Sequence, residues 1–233
     1  MDTLPIAQRV GRMKKSQRYK TSHLVEDQFE PGSRGRVLKN LLHITRRREL
    51  DVVEVEKYAL AIPVLMDMFS KTHCFTANDI CRMHKTWLGD VYEWAGRYRQ
   101  VNITKDGFPF AAAAQLPKMM QEFEKGLLRK YTPCLFAKDD DLITALSVVH
   151  GELMLIHPFR EGNGRVGRLL TVLMALQAGL PGLDFAGISG KMRKAYFAAV
   201  QASASQDYEP MKKVFSAVLL RTRRTLGKSR RVF

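Results

Sequence analysis

The feature that most constrains this chain is a pair of apolar helical patterns interrupted by a short polar loop. Leu142, Leu146, Val149, Leu153 and Ile156 recur at spacings of four and three, which puts them on one face of a helix packed into a core. Pro158 continues a helix badly and disfavours helical geometry in the residue before it, so this helix ends near His157. Val166, Leu169, Leu170, Leu173 and Leu176 then form the inner face of a second helix, closed by Gly179 and Pro181. Between the two buried helices lies "HPFREGNGR", a tight polar loop.

Helical periodicity dominates the rest of the chain, and an all-α fold is expected. An apolar pattern runs from about Glu49 to Phe69, with Pro63 either kinking one helix or dividing two. Thr76 with Asp79 reads as an N-cap for a helix through Trp87, and Pro117 suits the first turn of another reaching about Arg129. The exception is "RQVNITKDGFPF", where Val101 and Ile103 alternate with polar residues, "KDG" is a turn signal, and Phe108 and Phe110 alternate again. That is a short β-hairpin, and on a helical body its unpaired edges mark either a loop with a task or a decorated surface turn. Residues 1–34 are basic and broken by "EPGSRG" and read as an arm. A folded domain is expected over 35–220, followed by a basic tail over 221–233.

Charge and cysteine content narrow the classes of function. The net charge of +15 invites nucleic-acid binding, but the excess is concentrated in Arg9 to Lys20, in Arg46-Arg47-Arg48 and in the tail from Arg221. Such runs read first as solvated faces or termini, with an acidic partner protein next, and nucleic acid is not favoured. Cys74, Cys81 and Cys134 form no CxxC pair, which argues against a disulfide framework or zinc site and for a reducing compartment. No signal-type apolar segment or membrane-length run is present, so a cytoplasmic protein without a membrane partner is expected.

The loop's chemistry follows from its residue types. Gly162-Asn163-Gly164 can adopt positive φ and turn successive amides inward, an anion nest at a helix N-terminus. Arg165 and Arg168 lie three residues apart on one side of that helix's first turn. Two guanidinium groups beside a nest suit a polyphosphate. Glu161 would repel phosphates unless a cation lay between, so it reads as a Mg²⁺ ligand. His157, at the end of the preceding helix, is placed to act as a general base.

Residues His157 to Arg168 match H-P-F-x-[DE]-G-N-G-R-x-x-R at every specified position, and the chain resembles the Fic-domain family. "VLKNLLHIT", "GDVYEWAGRYRQVNITKDGFPF" and "VVHGELMLI" are similar to the segments preceding that motif in bacterial Fic proteins, and the likeness covers roughly 35–215. The resemblance implies a helical bundle with a hairpin flap over about 99–112 beside a motif loop over 157–168. It implies transfer of AMP from ATP to a Ser, Thr or Tyr hydroxyl of a target protein. In that scheme His157 deprotonates the hydroxyl and Glu161 holds Mg²⁺. Asn163 and the amides around Gly162 and Gly164 steady the α-phosphate, Arg165 and Arg168 clamp the outer phosphates, and Phe159 anchors the loop. The flap holds the target by strand addition, with Lys105, Gly107 and Phe108 among the residues beside the nucleotide.

Two rivals remain at this stage. The Doc branch transfers the γ-phosphate and carries Lys where Gly164 stands here, so Gly164 favours AMP transfer, although relatives move UMP or phosphocholine. A non-enzymatic basic adaptor or nucleic-acid-binding protein is the other, and the intact His157 and Glu161 oppose it. Many Fic enzymes are inhibited by a helix bearing [ST]xxxE[GN]. Ser22 with Glu26, Thr45 with Glu49 and Ser205 with Glu209 have that spacing but are followed by Asp27, Leu50 and Pro210. The chain therefore resembles the toxin class whose inhibitory helix belongs to a separate small antitoxin. No delivery domain is visible after the core, which favours a target inside the producing cell over export into a host.

Overall fold

The computed structural model describes residues 21–229. Among them the main helices are α1 (Arg47–Met68), α2 (Ala77–Leu88), α3 (Leu116–Phe123), α4 (Asp139–Ile156), α5 (Asn163–Gln177), α6 (Gly190–Ser203) and α7 (Glu209–Ser229). The hairpin supplies β1 (Thr104–Lys105) and β2 (Phe108–Pro109), antiparallel with Thr104 opposite Pro109 and Lys105 opposite Phe108. The fold is thus all-α with one small flap, as the periodicity implied.

Helix α4 is the axis of the core, in contact with α3, α5, α6 and α7, while α1 lies against α2 and α2 reaches α5. Val149, Leu153 and Ile156 of α4 and Leu169, Leu170 and Met174 of α5 are almost fully buried, and such burial is the main stabilising contribution to a bundle of this kind. Gly167 lets the pair approach, because a Cβ there would lie 2.5 Å from the Met154 methyl.

At Pro63 the single-helix alternative holds, and α1 runs through it undivided. Its ring leaves the Ala59 carbonyl without a helical donor, and both residues are exposed, so water can serve instead. After α3 the chain widens into a π-helical turn over Glu124–Leu128 before a last turn, Arg129–Tyr131. The flap's ladder is shorter than the alternation suggested because Val101 and Phe110 are buried in the body. Asp106 and Gly107, with φ of 49° and 79°, make the tight turn between its strands.

Both outer boundaries need correction. Residues 21–34 belong to the folded body: Glu26, Glu30 and Ser33 are buried, and Phe29 pairs with Leu38 in an antiparallel bridge. At the other end α7 continues past residue 220, with Arg221 bonded to Asp184 at 2.8 Å and Arg223 to Asp139 at 2.6 Å. The remainder of the expected arm and tail, residues 1–20 and 230–233, lies outside the described residues.

Candidate active site

The motif loop is shaped by two left-handed residues and one buried cation. His157 ends α4 with φ 51° and ψ 60°, its amide bonded to the Leu153 carbonyl at 3.0 Å. Arg99, 1% exposed, donates Nε to the His157 carbonyl at 2.7 Å, Nη1 to Val101 at 2.7 Å and Nη2 to Ala111 at 2.6 Å. A guanidinium at a helix C-terminus meets both the dipole and the unpaired carbonyls there. Gly162 caps α5 with φ 86°, and a Cβ on it would lie 2.7 Å from the Trp87 ring. Only Gly162 of the Gly-Asn-Gly run is left-handed; Asn163 and Gly164 already belong to α5. The expected three-residue nest is therefore one turn plus the helix N-terminus. The space beside Gly164 is open, so its missing side chain leaves room in the cavity.

Two side chains hold the loop to the body. Phe159 is fully buried and stacks on His84 with centroids 4.0 Å apart. His84 Nδ1 accepts the Gly96 amide at 2.8 Å, so Nε2 carries the proton and donates to the Glu161 carbonyl at 3.1 Å. Burial pushes the His84 pKa down to about 4, in keeping with a neutral ring that donates and accepts. Asn163, which lines the cavity, also braces the loop from within. Its Oδ1 accepts the Phe159 amide at 2.8 Å and its Nδ2 donates to the Phe159 carbonyl at 2.7 Å. These two bonds make the amide side chain a strut inside the loop.

The reactive groups converge on a cavity of about 600 Å³. His157 stacks on Phe110 at 3.7 Å between centroids, and its Nδ1 lies 3.2 Å from the Met154 carbonyl. A carbonyl only accepts, which assigns the proton to Nδ1 and leaves the Nε2 lone pair available. Burial, helped by the Arg99 and Lys105 charges, pushes the His157 pKa down to about 3. Glu161 is more exposed; its Oε1 accepts the Gly162 amide at 3.0 Å and lies 3.9 Å from Arg165. Among the described residues no cluster of three His, Cys, Asp or Glu could cage a metal. One half-exposed carboxylate in a basic cavity suits a hard cation that arrives with phosphates rather than a resident ion.

The two arginines differ. Arg165 Nη2 donates to Glu54 of α1 at 2.6 Å, and its guanidinium lies 4.4 Å over the Trp87 ring. Glu54 is completely buried, and its other oxygen accepts the Tyr92 hydroxyl at 2.7 Å. Arg168 instead lies 5.9 Å over Phe185, and its buried Nε has no hydrogen-bond partner. Among the described residues no carboxylate pairs with Arg168: Glu26 accepts the Gln100 and Val101 amides, Glu209 pairs with Lys212 at 2.7 Å, and Glu49 is exposed in the first turn of α1.

Lys105 and Phe108 of the flap line the cavity, whereas Gly107 occupies the turn and does not. The opposite wall is α6, with Arg193, Tyr196, Phe197 and Gln201, and Lys105 Nζ bridges to it 4.6 Å above the Phe197 ring. Sequence reasoning missed this wall, as it missed Glu54, Arg99 and His84. The "KMRKAYFAAV" stretch carries no spacing beyond an ordinary amphipathic helix. The one available signal for Glu54 was a carboxylate on the apolar side of α1.

Comparison with known proteins places this geometry. The Fic/DOC family matches residues 74–175. The chain is 34% identical over 144 residues to "Protein adenylyltransferase VbhT" of Bartonella schoenbuchensis, covering 61% of this chain but 30% of that protein. It is 26% identical over 194 residues to "Probable protein adenylyltransferase Fic" of Escherichia coli, covering 78% and 88%. The chain thus spans under a third of the first relative and most of the second. Its fold is similar to the crystal structure of BepC from Bartonella tribocorum with bound AMPPNP, with TM-score 0.68 and 23% identity over 84% of this chain and 97% of that one. The Fic/DOC match takes in α2, the flap, α4, the motif loop and most of α5, so the segment that builds the cavity's motif loop is the segment similar to that family.

Proposed function

We propose that the chain transfers AMP from ATP to a Ser, Thr or Tyr hydroxyl of a target protein. The observation that carries this reading is the placement of the His157 imidazole. Its Nδ1 proton is committed to Met154, and the remaining nitrogen is free at a cavity that also receives the N-terminus of α5 and both motif arginines. Two relatives are named adenylyltransferases, and the BepC structure holds an ATP analogue. The cavity volume falls within the range of nucleotide-sized sites.

In this reading the target hydroxyl lies beside the flap and gives its proton to His157 Nε2 as its oxygen bonds to the α-phosphorus. The bond from that phosphorus to the bridging oxygen breaks, and pyrophosphate leaves. The α5 N-terminus and its first amides face the charge that builds on the phosphate. Arg165, fixed by Glu54, and Arg168, with an unspent donor, bind the outer phosphates. Glu161 is the residue that would hold Mg²⁺, which when bound supplies charge neutralisation on the phosphates. Asn163 acts through the shape of the loop.

Incubation with Mg²⁺, the producer's lysate and ATP labelled at either the α or the γ position tests the reading. Label on protein from the α position alone supports AMP transfer. Label from the γ position alone supports the Doc-like phosphoryl transfer that Gly164 argues against. No label from either position supports a binding protein that keeps the fold.

We assign the inhibitor to a separate small antitoxin. The support is that Arg168 meets no carboxylate among the described residues. The purified chain should be active alone, and Glu49→Gly and Glu209→Gly should leave its specific activity unchanged. A rise on the order of tenfold in either variant, the size of one released charge-assisted bond, would put the inhibitor within this chain.

A further inference from the structure

The short turn Val25–Asp27 lies where the flap's root meets the motif loop. Glu26 is 5% exposed, and its Oε1 accepts the amides of Gln100 at 2.5 Å and Val101 at 3.0 Å, the residues that lead into the flap. Its backbone carbonyl accepts Nε of Arg160, inside the motif loop, at 3.0 Å. The Asp27 carboxylate, held by the Thr21 hydroxyl, lies 3.9 Å from the same guanidinium. One residue therefore grips the flap root with its side chain and the motif loop with its backbone.

The grip is completed from the other side. The Val101 peptide is fixed through its amide by Glu26 and through its carbonyl by Arg99, which also holds the His157 carbonyl. Bonds to a charged acceptor are roughly twice as strong as neutral ones, and the one to Val101 is buried. Without the carboxylate, water would serve both amides and the root could shift relative to His157. Glu26 lies outside the segment matched by the family and does not line the cavity.

We propose that Glu26 is a positioning residue that sets the flap over the motif loop, so that a hydroxyl held along Thr104–Phe108 is delivered to His157. This rests on the AMP-transfer reading. Its loss should therefore impair use of the target rather than of the nucleotide.

The test compares full-length wild type, Glu26→Ala and Glu26→Gln by three measurements: amide exchange over residues 100–111, affinity for Mg-ATP, and α-label transfer to the lysate acceptor across a lysate dilution series. In Glu26→Ala, exchange at Gln100 and Val101 should quicken roughly tenfold or more. ATP affinity should hold, and the acceptor concentration for half-maximal transfer should rise. Glu26→Gln keeps an acceptor oxygen and should recover most of both effects. Wild-type exchange or wild-type transfer in Glu26→Ala overturns the proposal, as does a Gln variant no better than Ala. Where the Ala variant does not fold, Glu26→Ser, too short to reach both amides, carries the test: quicker exchange at Gln100 and Val101 with a raised half-maximal acceptor concentration and intact ATP affinity supports the brace, and wild-type values overturn it. A wild type that labels nothing sinks the AMP-transfer reading and with it the consequence for the target, while exchange still reads the brace itself.

Discussion

The Nε proton of Arg99 is donated to the carbonyl oxygen of His157 at 2.7 Å, so the residue proposed as the base is held through its backbone by a buried cation 58 positions earlier in the chain. The same guanidinium bonds the carbonyls at both ends of the flap, Val101 and Ala111. Flap and motif loop are therefore one mechanical unit.

Replacing that cation should be severe. Arg99→Met would leave three buried carbonyls without donors, at about 1–3 kcal/mol each, and should lower stability by roughly 3 kcal/mol or more. A denaturant titration checks this; a shift of less than about 1 kcal/mol, as for an average surface substitution, would show that the carbonyls find other partners.

Glu54 should matter through Arg165. In Glu54→Gln the Tyr92 hydroxyl and Trp87 indole keep oxygen acceptors, but the buried charge facing Arg165 is lost. Weaker Mg-ATP binding with a folded protein is expected, by roughly tenfold for one charge-assisted bond. Isothermal titration against ATP reads it, and unchanged affinity would separate Arg165 from the phosphates.

The buried histidines give two pH predictions. His84 and His150 are both fully buried and pushed down to about 4 from an ordinary value near 6.5, in each case mainly by burial. Below about pH 6.5 the unfolded chain takes up protons that the native chain refuses, so stability is intact above that pH and falls as pH drops towards 4. Urea melts at pH 7 and pH 5 should differ by on the order of 2 kcal/mol per histidine. Equal midpoints would contradict native-state neutrality. The His157 pKa, pushed down to about 3, predicts transfer that does not decline between pH 8 and pH 6, and an acidic limb centred near 6.5 would contradict its placement.

What was legible in the sequence was local. The α4 and α5 faces, the cap at Thr76 with Asp79 and the loop ending α4 at His157 all follow from spacing within a few turns. The hairpin was visible in its alternation and its Asp-Gly turn, but its length was not, because Val101 and Phe110 turn into the body. The long-range partnerships were hidden. Glu54 meets Arg165 across 111 positions, and within "VEVEKY" it looks like one of two solvated acids. Glu26 was considered as an inhibitor because of a spacing to Ser22, yet its carboxylate is used by the flap root. The brace that Asn163 forms with Phe159, four residues back, was likewise not visible in the spacing of the motif.

The central claim is that His157 acts as the base on a target hydroxyl. His157→Ala should be measured for α-label transfer from ATP and, in the same preparation, for Mg-ATP affinity. Transfer should fall by about 10² to 10⁴-fold, the usual contribution of a general base, with affinity unchanged. Wild-type labelling by His157→Ala would contradict it.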